Sequence, residues 1–158
     1  MGSLAGLSPY IDAKTLPQDH RMFQTVEKTI AAVQEHMFPP EGKLPSAREM
    51  RATRFLYETI MHPAYDKDIR AFVIEGAKEL QIREKHHFTH YTQEKKEAAL
   101  RAYEQSSYGR NWLSRMMILT MEAIFSDPVY GSNINEAGWK ALKSFGGQPR
   151  PRTRYIEL

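Results

Sequence analysis

The chain of 158 residues contains no cysteine. Disulfides, thiolate metal sites, iron–sulfur clusters, cysteine nucleophiles and covalent c-type haem attachment are therefore excluded within it. Long apolar runs are missing as well. No stretch approaches the roughly 18 apolar residues that a membrane span needs, so no direct span is expected. The glycines form neither a G-x-G-x-x-G fingerprint nor a phosphate loop. There is no G-x-S-x-G elbow and no H-E-x-x-H pair. Charge of one sign is scarce over most of the chain. The net charge is +3, yet residues 139–158 hold Lys140, Lys143, Arg150, Arg152 and Arg154 against Glu157 alone. A nucleic-acid binder usually spreads a basic face over its fold. A balanced body with a basic tail is different, and no nucleic-acid partner is expected.

What is present reads as helix. Phe23, Val26, Ile30, Val33 and Met37 recur at spacings of three and four, giving one apolar stripe. Asp19 is the expected N-cap, and Pro39-Pro40 the stop. Ser46 with Glu49 has the form of a capping box. It is expected to open a helix that carries Phe55, Leu56, Thr59 and Ile60 and ends before Pro63. Asp66 or Asp68 starts a third, with Ile69, Phe72, Val73, Ala77 and Leu80 on one face. Thr92 caps a more polar fourth, whose thin stripe is Ala99, Leu100 and Tyr103. A greasier helix runs from about Ser107 to Phe125. Trp112, Leu113, Met116, Met117, Ile118, Leu119, Met121, Ile124 and Phe125 cover most of its circumference. A helix apolar nearly all round is expected to be buried by its neighbours. A short helical turn follows at Asn135–Lys143. No strands are expected: the class is all-α, a single compact bundle of about five helices around a buried central one. Residues 1–18 read as a flexible N-terminus, and 1–9 resemble the far end of an export signal. Residues 19–147 form the helical domain. Residues 148–158, with Pro149, Pro151 and three arginines, form an extended basic arm that is disordered in an isolated monomer or ordered across a partner.

Few residues suggest chemistry. His86, His87 and His90 make the best metal candidate, since His86 and His90 would share a helix face. They fall between two helices beside Arg83 and Lys85, with no carboxylate nearer than Glu84. A catalytic zinc site wants three converging ligands and outer acceptors, so the expectation is an exposed connector and no metal. Glu122 sits among apolar residues, where burial would raise its pKa and make it a candidate acid or base. Pairing to arginine or capping a neighbouring loop is the commoner role for such a glutamate. Met116, Met117 and Met121 read as core filler.

The segment 125–139 is the most distinctive. Asp127-Pro128 ends the long helix. Gly131 permits positive φ in a tight turn, Asn133 can bond nearby backbone, and Tyr130 and Trp139 are anchors with polar handles. The run Phe125-Ser126-Asp127-Pro128-Val129-Tyr130-Gly131-Ser132-Asn133, followed by Gly138-Trp139-Lys140, resembles the signature of the gluconate 2-dehydrogenase subunit 3 family. That signature reads F-x-D-P-x-Y-G-G-N, then G-W-K and a glycine-containing F-x-G segment. Here Ser132 replaces the second glycine, Asn135-Glu136 stands near the family's N-R-D, and Phe145-Gly146-Gly147 replaces F-P-G. The helical layout from about residue 22 to 147 also fits.

The resemblance implies a non-catalytic small subunit of a membrane-associated dehydrogenase for sugars or sugar acids. It implies no cofactor in this chain. FAD would lie in a large subunit of the glucose–methanol–choline oxidoreductase type, and a multihaem cytochrome c often takes the electrons onward. Such small subunits commonly carry the twin-arginine signal that exports the folded flavoprotein, which implies a periplasmic location reached through partners. No Arg-Arg pair is present here. The interface or structural motif would comprise Phe125, Asp127, Pro128, Tyr130, Gly131, Asn133, Gly138 and Trp139, with Arg150, Arg152, Arg154 and Tyr155 of the arm. The other open reading is a free-standing metal-dependent enzyme using His86, His87, His90 and Glu122.

Overall fold

The computed structural model describes residues 16–154. The export-signal reading of residues 1–9 and the expectation for Tyr155 lie outside them. Six α-helices follow one another: α1 (Leu16–Met37), α2 (Ala52–Ile60), α3 (Lys67–Arg83), α4 (Gln93–Glu104), α5 (Ser107–Phe125) and the short α6 (Ala137–Ala141). Among the described residues there is no strand. The all-α class expected from the periodicity is the class observed.

The apolar stripes decide the packing. Phe23, Val26, Ile30 and Val33 of α1 are buried against Leu56 and Ile60 of α2 and Val73, Ala77 and Leu80 of α3, with Trp112, Met116 and Leu119 of α5 in the same cluster. α5 touches α1, α2, α3, α4 and α6 and is the central helix. Trp112 is fully buried and its Nε1 donates to the Val73 carbonyl at 3.0 Å. A second, smaller cluster joins Phe38, Ala47, Met50 and Ala52 to Ala123 and Ile124 at the far end of α5.

Several helix ends differ from expectation for a physical reason. Asp19 lies inside the first turn of α1 and pairs with Arg70 of α3 at 3.1 Å instead of capping. That same Arg70 donates to the carbonyls of Ile60 and His62, satisfying the end of α2. Ser46 and Glu49 do form a reciprocal capping box, at 3.0 and 3.1 Å. The box closes only one turn, because Arg51 is left-handed at φ 54° and α2 starts after it. Asp66, rather than Asp68, caps α3 by accepting from the N–H groups of Asp68 and Ile69. Thr92 caps α4.

The larger correction concerns α5, which is not buried all round. Met117, Ile118 and Met121 are 36%, 47% and 44% exposed. The neighbouring helices cover only the Trp112, Met116, Leu119 and Ala123 side. Nothing among the described residues covers the other.

Gln34 is a core residue that periodicity does not announce. It is fully buried in α1; its Nε2 donates to Thr120 Oγ1 of α5 at 3.2 Å, and its Oε1 accepts from Thr53 of α2 at 2.7 Å. One amide thus links three helices. Gln34→Ala is expected to cost about 1–3 kcal/mol by opening a void and taking away the acceptor of the Thr53 hydroxyl. Urea unfolding of the two proteins measures it, and an unchanged midpoint would show that the link contributes nothing.

Candidate partner interface

α5 ends at Phe125, and the chain must turn sharply to lay α6 back against it. Asp127 organises the first step. Its Oδ1 accepts from the Val129 N–H at 3.0 Å, capping a 3-10 turn, Pro128–Tyr130, that has proline at its start. Gly131 follows at φ 84°, in the left-handed region that favours glycine. Ser132 is fully buried and is not left-handed. A side chain is therefore tolerated where the signature carries a second glycine. Its hydroxyl donates to the Ala123 carbonyl at 2.6 Å and lies 2.9 Å from Ser126 Oγ, satisfying the C-terminal end of α5.

Asn133 is the hinge pin. Fully buried at φ 46°, it donates from Nδ2 to the Ser126 carbonyl and accepts at Oδ1 from the Gly138 N–H, both at 2.8 Å. One amide closes both the end of α5 and the start of α6. Gly138 sits so close to the Ile124 carbonyl that a β-carbon would collide with it, which fixes glycine at that place. Trp139 is 8% exposed and donates from Nε1 to the Phe125 carbonyl at 2.7 Å. Asn135 and Glu136 are also left-handed, so backbone strain of about 1–3 kcal/mol per residue is concentrated in this turn.

The arm does not behave as a free tail as far as Arg154. Arg150 pairs with Asp127 at 2.6 Å and Glu136 at 3.0 Å, and its guanidinium lies 4.7 Å from the Trp139 ring centroid. Arg154 donates to the Val129 carbonyl at 2.9 Å and pairs with Glu58 of α2 at 3.1 Å. Two cations expected to meet a partner's carboxylates instead meet this chain's own, because the turn presents unsatisfied acceptors within reach. Arg152 is exposed. Glu58 and Glu136 were not foreseen as parts of the site. Nothing in the sequence near Glu58 signals a partner 96 residues away.

The bond from Arg150, helped by the Val129 N–H, holds the Asp127 carboxyl below its ordinary range, against its partial burial. Because the folded form resists protonation, its contribution is present above the unfolded pKa of about 4 and lost as pH falls through the lower folded value. Arg150→Ala is thus expected to melt lower than the parent at neutral pH, with the gap closing as the pH drops below about 4. Melting curves across pH check it; a gap independent of pH would show that the ion pair is not responsible. Gly131→Val should cost about 1–3 kcal/mol through its positive φ. Its β-carbon would also displace the Arg154 guanidinium, and a thermal melt reads the sum.

The histidine candidate does not assemble. His86 is left-handed at φ 63° in the turn that ends α3, and His90 belongs to a separate 3-10 turn, Phe88–His90. They share no helix face. Among the described residues no group of three or more His, Asp or Glu side chains could hold a metal. Glu122 lies elsewhere. It lines an open groove of about 770 Å³ with Phe55, Glu58, His62, Tyr65 and Tyr130. Among the described residues its side chain makes neither the arginine pair nor the loop cap expected of it. Partial desolvation raises its carboxyl above the ordinary value, and Arg115 offsets this only in part.

The family model for gluconate 2-dehydrogenase subunit 3 matches residues 24–147. The chain belongs to that family. The match spans most of the chain and takes in the entire turn from Phe125 to Trp139. No curated protein and no solved structure matches the chain. As a gluconate 2-dehydrogenase subunit 3 protein it is an accessory subunit of a dehydrogenase complex. In it, the signature segment is a structural clasp: the side chains of Asp127, Ser132, Asn133, Glu136 and Trp139 bond to nearby backbone, to the Ser126 hydroxyl or to the returning tail. No helix among the described residues is long and apolar enough to cross a membrane.

Proposed function

We propose that this chain is the non-catalytic small subunit of a flavin-dependent dehydrogenase of sugars or sugar acids. It binds and stabilises an FAD-containing large subunit of the glucose–methanol–choline type and accompanies it during maturation and export to the periplasm. A multihaem cytochrome c is the electron acceptor expected in such a complex. The family match over residues 24–147 carries this reading. The uncovered apolar face of α5, with Met117, Ile118 and Met121, gives it physical support. Exposed methionine is a soft, adaptable contact surface suited to a protein partner.

Co-expression tests it. The large subunit is expected to co-purify with this chain, to melt higher in its presence and to hold all the flavin. The isolated chain is expected to show neither flavin absorbance nor dehydrogenase activity, with or without divalent metals. A large subunit equally soluble, stable and active alone would overturn the proposal.

A further inference from the structure

The groove beside α5 has an unusual balance of groups. Its lining includes four aromatic residues, Phe55, Tyr65, Phe125 and Tyr130. Two carboxylates reach it, from Glu58 and Glu122. They are not equivalent. Glu58 is neutralised twice, by Arg54 at 2.8 Å and by Arg154 at 3.1 Å. Among the described residues the Glu122 side chain makes no hydrogen bond or ion pair. Glu58 is thus held by two guanidinium groups of this chain, whereas Glu122 meets none directly and feels only the field of Arg115.

The groove is also continuous with the bare face of α5. Ile118 and Glu122 are four residues apart, as are Met121 and Phe125, so each pair are neighbours on the helix surface. An apolar stripe thus runs directly into an aromatic groove with an unpaired acid. Aromatic faces and a carboxylate together attract a cation carried on an apolar stem.

We infer that this groove is a socket for an arginine or lysine side chain of the partner subunit, with Met117, Ile118 and Met121 covered by apolar surface around that anchor. This rests on the accessory-subunit reading, and it assigns the face and the chemistry through which the partner is held. Glu122 supplies the charge, and the Phe55, Phe125 and Tyr65 rings flank the stem. The surrounding stripe excludes water, which strengthens the ion pair at its centre. The same carboxylate costs the free subunit stability. Its raised folded pKa means that the charged form is disfavoured by folding, so Glu122→Gln is expected to fold and to melt no lower than the parent at neutral pH.

Two arms test the socket. In the first, the full chain is co-expressed with its flavin-containing subunit and recovered at moderate salt. Glu122→Arg and Met121→Asp are expected to lower recovery about tenfold or more, and Glu122→Gln to lower it less. Glu75→Arg, an exposed charge swap on α3, is expected to match the parent. Parental recovery of Glu122→Arg and Met121→Asp would overturn the socket. In the second arm, N-acetyl-arginine-methylamide is titrated into the isolated chain and followed by NMR. Saturable shifts at Tyr65 and Glu122, absent with the neutral citrulline analogue and lost in Glu122→Gln, are expected. Equal shifts with both probes, or none, would overturn it. If the parent chain recovers no flavoprotein at all, the accessory-subunit reading fails, while the probe titration still decides the socket.

Discussion

Trp139→Ala is expected to lower stability by about 3–5 kcal/mol, the range for emptying a buried aromatic site. The indole does more than fill space. Its Nε1 donates to the Phe125 carbonyl at 2.7 Å, one of the terminal α5 carbonyls that no helical N–H can reach. Its ring also lies under the Arg150 guanidinium and against the backbone at Gly146. Removing it strips three contacts from one place: the end of α5, the start of α6 and the returning tail. Trp139→Phe separates these contributions. It keeps most of the area but orphans the Phe125 carbonyl, so its cost should be nearer about 1–2 kcal/mol. Denaturant unfolding, monitored by far-ultraviolet circular dichroism since a tryptophan is removed, gives both values. Equal losses would assign the whole effect to the hydrogen bond, and negligible losses would show that the turn is held by its other contacts. A further readout follows from the tail: limited tryptic cleavage after Arg152 should accelerate in Trp139→Ala more than in Trp139→Phe.

Most of the bundle is legible from spacing alone. The stripe Phe23, Val26, Ile30, Val33 reports α1 because a helix returns to the same face every three or four residues, and all of these residues are in the core. Caps are legible when the side chain has no better partner. Thr92 and Asp66 cap as read, whereas Asp19 is drawn away by Arg70, a residue 51 positions on that local pattern cannot see. The outer face of α5 misleads for a different reason. Apolarity all round a helix signals cover, but not whether the cover is supplied by the same chain. Met117, Ile118 and Met121 are as apolar as a core and are bare. In the turn, the positive φ at Gly131 and the bonding of Asn133 are readable, because both residue types are chosen for conformations others resist. The partners of Arg150 and Arg154 are not. Charge pairing across 23 to 96 residues depends on where the turn delivers its acceptors, and composition shows only a basic arm.

The other large effect is expected at Asn133. Leucine has the branching of asparagine but replaces both polar ends of the amide with bulkier methyl groups, and Asn133→Leu should cost about 3–5 kcal/mol. Two backbone groups, the Ser126 carbonyl and the Gly138 N–H, lose their partners at once. Each buried orphan costs about 1–3 kcal/mol. Leucine must also adopt φ 46°, a left-handed conformation that asparagine accepts more readily because its amide bonds locally. Asn133→Gly distinguishes the two causes. Glycine removes the strain but restores neither bond, so it should remain well below the parent while melting above the leucine variant. For a domain of this size, each kcal/mol shifts the melting temperature by about 2–4 °C, which places the leucine variant roughly 6–20 °C below the parent. Were glycine to match the parent, strain alone would explain the position and the clasp would not depend on the amide. Because the clasp borders the groove through Phe125, Ser126 and Tyr130, its loosening should also weaken recovery of the partner. Glu122→Gln should weaken that recovery with no loss of melting temperature, so the pair separates a distorted socket from an emptied one.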